Sequence, residues 1–151
     1  SDVYKRQPII DSRFKKDFVF SHDKNQIESK SVSKSSDIKI KAKGYDVIGI
    51  DEAQFFDNGI VKICNDLANE GIRVIVAGLD MDYKGNHFGP MPNLMAIAEY
   101  VTKLHAICAK SGNLANHSYR ISNDKSLVHL GQKESYIPLS KVLMCGIFIL
   151  E

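Results

Sequence analysis

The sequence predicts a doubly wound α/β fold built on a parallel sheet. Two β-branched runs, Val47-Ile48-Gly49-Ile50 and residues 73–79, each end in an acid, Asp51 or Asp80, and an amphipathic stretch separates them. In a parallel sheet covered on both faces, strands read as continuous apolar runs and ligands gather beyond their carboxyl ends. Asp51 and Glu52 are therefore expected at that ligand edge. Two carboxylates there suit nucleotide chemistry, because one can hold Mg²⁺ through water while the other accepts the proton of an attacking hydroxyl. An isolated Asp-Glu pair is more often a buried strand running into a helix cap, so neighbouring residues must decide.

The chain of 151 residues is long enough for one domain with a real core and a small appendage. Its hydrophobic share of 44% and charged share of 25% are those of an ordinary globular protein. A net charge of +2 supplies no strong field for nucleic acid or a membrane surface, and neither is expected as a partner. Three cysteines, Cys64, Cys108 and Cys145, form no pairing pattern, which favours a reducing compartment and a cytoplasmic protein. No signal peptide is visible. No apolar stretch reaches the roughly 20 residues of a membrane span.

Taken in order, residues 1–7 lack periodicity and read as appended sequence outside the core. Residues 8–25 are mixed, with Asp11-Ser12-Arg13 and Ser21-His22-Asp23 around the short apolar run Phe18-Val19-Phe20. Residues 29–36, rich in Ser, read as a surface segment or the approach to a helix. Residues 38–42 alternate apolar and Lys, which suits an edge strand and a helical turn equally. Residues 46–51 form a buried strand. Asp57 or Asn58 caps a helix carrying Ile60, Val61, Cys64, Leu67 and Ala68 on one face, and Gly71 stops it. Residues 73–79 repeat the strand. A loop with Gly and Pro spans residues 83–92, and Leu94, Ile97, Ala98, Val101 and Leu104 predict a helix over 94–104. Ala106-Ile107-Cys108 suits a further strand. Turn signals at Gly112-Asn113 and Ser122-Asn123-Asp124 around residues 117–121 and 127–130 predict a β-ribbon.

No internal repeat is present, and no Gly-x-x-x-x-Gly-Lys-Ser/Thr loop occurs in these 151 residues. That loop cradles phosphates after the first strand of many nucleotide-binding sheets, so the chain is expected to begin beyond it.

Ile50-Asp51-Glu52-Ala53-Gln54-Phe55-Phe56 and Val76-Ala77-Gly78-Leu79-Asp80 together resemble the thymidine kinases of the tetrameric cellular and bacterial type. The likeness runs through Phe88-Gly89-Pro90-Met91-Pro92, Leu94-Met95-Ala96-Ile97-Ala98-Glu99 and Ala106-Ile107-Cys108, and spans roughly residues 8–140 in unbroken order. It implies a P-loop NTPase-like (RecA-like) parallel sheet core, incomplete at the N-terminus, followed by a small C-terminal lasso or β-ribbon subdomain. The corresponding division is 1–7 appendage, 8–107 partial kinase core, 108–140 lasso and 141–151 divergent tail. It further implies transfer of the ATP γ-phosphate to the thymidine 5′-hydroxyl, in a homotetramer open to feedback by thymidine triphosphate.

By the same resemblance Glu52 is the catalytic base and Asp51 places Mg²⁺. Asp51, Glu52, Ala53 and Gln54 face ATP and its metal. Gln54 and Phe55 line the nucleoside pocket, an amide and an aromatic face suiting a pyrimidine, while at least one of Phe55 and Phe56 is expected to be packing. Asp11 and Arg13 match a segment beside the phosphates, where a guanidinium can fork onto phosphoryl oxygens; a surface ion pair is the equal alternative. Leu79, Tyr83 and Phe88 match pocket positions. Leu127, Val128, His129, Leu130 and Gly131, continuing to Tyr136, match the lasso, which binds the base largely through main-chain hydrogen bonds.

Two departures stand out. Many relatives brace the lasso with a Cys₄ zinc site, but only Cys108 matches it here. Ser111, Ser140 and Leu143 take the other three places and Cys145 lies out of register, so no structural zinc is expected. The missing phosphate loop implies weak ATP binding by this chain alone, which leaves a non-catalytic nucleoside-binding fragment as an alternative. A helicase-type ATPase also carries an acidic motif, but it gives no reason for Phe55-Phe56 and the matching run to Cys108, and it would want a basic stripe.

Overall fold

The computed structural model describes residues 3–8, 18–20, 26–32, 34–121 and 136–141. It divides into two compact units, residues 1–80 with 88–99, and residues 81–87 with 100–151. The second unit thus takes in a loop from before the predicted 107/108 boundary.

The first unit is an α/β layer structure. Its sheet has the order β2-β3-β1-β4-β5, built from β1 (Val3–Pro8), β2 (Phe18–Phe20), β3 (Gln26–Val32), β4 (Val47–Ile50) and β5 (Arg73–Val76). Strands β3, β1, β4 and β5 run parallel, and β2 joins β3 antiparallel. Residues 3–8, which show no periodicity in sequence, form β1, and it pairs with both β3 and β4. A strand held by main-chain pairing on both edges needs no apolar run of its own.

Three α-helices accompany the sheet among the described residues. Helix α1 (Ser35–Lys41) settles the ambiguity at residues 38–42: Ile38 is fully buried while Ile40 is exposed. The preceding Ser-rich stretch divides between β3 and the start of α1. Helix α2 (Gly59–Asn69) buries Ile60, Cys64 and Leu67 at helical spacing and ends before Gly71, whose φ is +87°. Asp57 rather than Asn58 supplies the cap, its carboxylate accepting the Gly59 N–H at 2.8 Å. Ile38, Ile48, Ile50, Phe56, Ile60, Leu67, Met91 and Leu94 belong to one core. Lys39 of α1 reaches Asp66 of α2 and links the two helices at the surface, while Lys62 pairs with the same carboxylate within α2.

Helix α3 (Met91–Ile97) is shorter than predicted, because Ala98 is already extended. Tyr100 and Leu104 are 92% and 90% exposed, so a longer helix would bury nothing to offset its ordering cost. Strand β5 also departs from a doubly covered strand. It stands at the sheet edge with Arg73 and Ile75 exposed.

The second unit holds two antiparallel pairs among its described residues. Strand β6 (Ala106–Ile107) pairs with β7 (Leu114–Ala115) across the predicted Gly112-Asn113 turn, and β8 (His117–Arg120) pairs with β9 (Tyr136–Leu139). The ribbon partner of residues 117–120 is thus 136–139, and residues 127–130 lie outside the described residues. No helix among the described residues is long and apolar enough to cross a membrane.

Candidate active site

At the carboxyl end of β4 the chain turns sharply. Asp51 Oδ1 accepts the Glu52 N–H at 2.9 Å, and Glu52 adopts a left-handed conformation with φ +53°. Among the described residues no other non-glycine residue has a positive φ. Such a conformation costs about 1 kcal/mol or more and persists only where surroundings hold it. They do so here through a 3-10 turn, Ala53–Phe55, whose Ala53 N–H donates to the Ala77 carbonyl at 3.0 Å.

Gln54 is the pivot of the turn. Only 3% exposed, it donates from Nε2 to Glu52 Oε2 at 2.6 Å and accepts the Leu79 N–H on Oε1 at 3.0 Å. One amide therefore ties the segment after β4 to the segment after β5. Gly89 allows the loop to close over it, since a Cβ there would drive into the Gln54 carbonyl oxygen. Phe55 and Phe88 meet edge to face with centroids 5.5 Å apart, and Phe56 is core, as expected for one of the pair. Leu79 is half exposed.

Asp51, Glu52, Ala53, Gln54, Phe55, Leu79 and Phe88 thus share one end of the first unit. The carboxylates of Asp51 and Glu52 are hard oxygen donors of the kind Mg²⁺ takes alongside water and phosphate. No group of three or more His, Cys, Asp or Glu that could hold a metal occurs among the described residues. Arg13 and Asp11, and the lasso positions Leu127, Val128, His129, Leu130 and Gly131, lie outside the described residues.

Tyr83 and Tyr136 both belong to the second unit. Tyr83 sits on a loop stiffened by buried Asp82, whose Oδ1 accepts the N–H groups of Lys84 and Asn86 at 2.8 and 2.9 Å. Between the two tyrosines lies Arg120, a residue that sequence reading did not single out because a lone Arg on a short strand carries no motif. Cys108, the remaining cysteine of the zinc pattern, is buried, and its thiol is lowered to about 6 by hydrogen bonds, first from the Ser111 hydroxyl and then from backbone N–H groups.

Comparison with known proteins decides the family. The thymidine kinase family model matches residues 2–143. The chain belongs to the thymidine kinase family. A thymidine kinase of Bacteroides thetaiotaomicron is 52% identical over 136 residues, covering 89% of this chain and 68% of the relative. A Porphyromonas gingivalis thymidine kinase is 48% identical over 135 residues, 89% of this chain and 66% of the relative. One from Rhodothermus sp. is 50% identical over 137 residues, 91% of this chain and 63% of the relative. Family and relatives make this thymidine kinase a phosphotransferase.

Proposed function

We propose that this thymidine kinase transfers the γ-phosphate of ATP to the thymidine 5′-hydroxyl, with Glu52 as general base. The observation that carries the reading is the left-handed Glu52, held in that conformation while Gln54 binds its carboxylate. A base must reach the hydroxyl within hydrogen-bond distance, and a carboxylate with one oxygen fixed keeps its other oxygen aimed. Asp51 is the residue that would hold Mg²⁺ through water, which when bound neutralises phosphate charge. The core is P-loop NTPase-like, as parallel β1, β4 and β5 with acids beyond β4 and β5 support.

Phe55, Leu79 and Phe88 are nucleoside-binding residues of the first unit, and by the family resemblance Tyr83, Tyr136 and residues 127–131 also belong to the thymidine-binding set. Arg13 meets the phosphates. The protein works in the cytoplasm as a homotetramer without structural zinc or nucleic acid.

The test is thymidine phosphorylation with ATP and Mg²⁺ in the parent chain and in Glu52→Gln. General-base loss costs about a hundredfold to ten-thousandfold in kcat, with thymidine binding largely kept. A variant within a few fold of the parent would remove Glu52 from that role. Thymidine binding without phosphorylation by the parent would favour the nucleoside-binding fragment instead.

A further inference from the structure

Asn58-Gly59 is the one Asn-Gly pair in the sequence. Asparagine in such a pair can cyclise: the main-chain nitrogen of the glycine loses its proton and bonds to the side-chain carbonyl carbon, ammonia leaves, and water then opens the succinimide to aspartate or isoaspartate. Glycine favours the step because no Cβ obstructs its nitrogen and its backbone turns freely. Asn58 is exposed, and its side chain caps nothing at the start of α2. Its amide therefore stands open to water.

The fold opposes ring closure at the nucleophile. Asn58 is helical, with φ −63° and ψ −15°, and its carbonyl accepts the Val61 N–H at 3.4 Å. Bringing the Gly59 nitrogen onto the side chain means turning ψ out of that region and breaking this bond. The Gly59 N–H also donates to Asp57 Oδ1 at 2.8 Å, and the same carboxylate is fixed by the Ser35 hydroxyl at 2.7 Å and the Ser35 N–H at 3.2 Å. A negative charge accepting an N–H disfavours loss of that proton. We propose that Asn58 is a site of spontaneous modification to aspartate and isoaspartate, and that the Ser35–Asp57–Gly59 chain is a latch that sets its rate. Reaction passes through the opened first turn of α2, so the rate follows the population of that local opening. Isoaspartate adds a methylene to the main chain, which takes Gly59 out of register with Asp57 and releases the latch for good.

Peptide mapping by mass spectrometry on the full chain held at neutral pH tests this, with isoaspartate counted by enzymatic methylation. Asn58 is expected to convert ahead of Asn113, which precedes the bulky Leu114, and about tenfold or more faster in urea than in the native protein. Ser35→Ala weakens the latch and should speed native conversion about two- to fivefold while leaving the rate in urea unchanged. Gly44→Ala strains a turn whose Cβ position has nothing within 4 Å, so it loses stability without touching the latch and should keep the parent's native rate. Gly59→Ala puts a methyl 2.6 Å from Asp57 Oδ1 and 2.9 Å from Ser35 Oγ, which disturbs the latch, yet the same methyl obstructs the nitrogen, so conversion should fall even in urea. Conversion at Asn58 no faster than at Asn113 would overturn the site. No acceleration by Ser35→Ala, or an equal one by Gly44→Ala, would overturn the latch.

Discussion

Glu52 and Gln54 are joined by a 2.6 Å hydrogen bond from the amide nitrogen to the carboxylate, and the same amide accepts the Leu79 N–H at 3.0 Å. Gln54 thus acts on Glu52 from within the fold. Gln54→Leu removes both bonds in a buried site and strands the Leu79 N–H, which costs about 1–3 kcal/mol of stability. A carboxylate released from its anchor also samples more directions. The expected result is a loss of about tenfold or more in kcat for thymidine phosphorylation, with a smaller change in thymidine KM. Full kcat in a folded Gln54→Leu protein would show that Glu52 needs no such support.

Gly89 faces the same turn from the other side. Its φ is +52° and a Cβ would collide with the Gln54 carbonyl oxygen, whereas Gly44, at φ +86°, has nothing within 4 Å. Gly44→Ala should therefore cost only the left-handed penalty of about 1–2 kcal/mol. Gly89→Ala adds overpacking against backbone and should cost about 2–5 kcal/mol in all. Urea unfolding of the two variants side by side checks the difference. Equal losses would mean that the loop moves away from Gln54 without penalty.

How much of this was legible in the sequence differs residue by residue. Asp51 and Glu52 are ambiguous alone, because such a pair is more often a buried strand running into a cap, and become legible only with the Ala53-Gln54-Phe55-Phe56 that follows. Gln54 reads as a polar pocket residue, yet its partners are Glu52 and a main-chain N–H brought from β5, which only the register of β4 and β5 creates. The strand at Val3–Pro8 is invisible to patterning because its order comes from pairing with β3 and β4. Arg120 is invisible for a related reason. Its meaning lies in two tyrosines brought to it by the ribbon and the loop, one before it and one after it in the chain.

Asp57 joins the starts of α1 and α2, accepting the Ser35 hydroxyl at 2.7 Å, the Ser35 N–H at 3.2 Å and the Gly59 N–H at 2.8 Å. The Ser35 hydroxyl, more than any other contact, holds its carboxyl below the ordinary 3.8. A lowered carboxyl stabilises the fold above its unfolded value, and the gain disappears as pH falls from about 3.8 through the folded value. Because Asp57 is largely exposed, water screening leaves about 0.5–1 kcal/mol for the cap. Ser35→Ala should lower stability at neutral pH and shrink the loss on acidification, measured by denaturant unfolding across that range. An unchanged acid dependence would assign the loss to other carboxylates.

The buried cysteines of the two units should titrate far apart. Burial pushes the Cys64 thiol up to about 11, whereas the Ser111 hydroxyl and the N–H groups of Ser111, Lys110 and Ser140 lower Cys108 to about 6. In a Cys64→Ser/Cys145→Ser background with chelator present, ultraviolet absorbance should report a single thiolate forming near 6. Ser111→Ala removes the strongest of these hydrogen bonds and should move that transition toward the ordinary 9.0. The linkage has the same sign as for a carboxyl. Stability from the lowered thiol is complete above 9.0 and is lost as pH falls through about 6, so Ser111→Ala should flatten the pH dependence of stability within that window. A transition left in place by Ser111→Ala would show that the backbone N–H groups alone hold the thiolate.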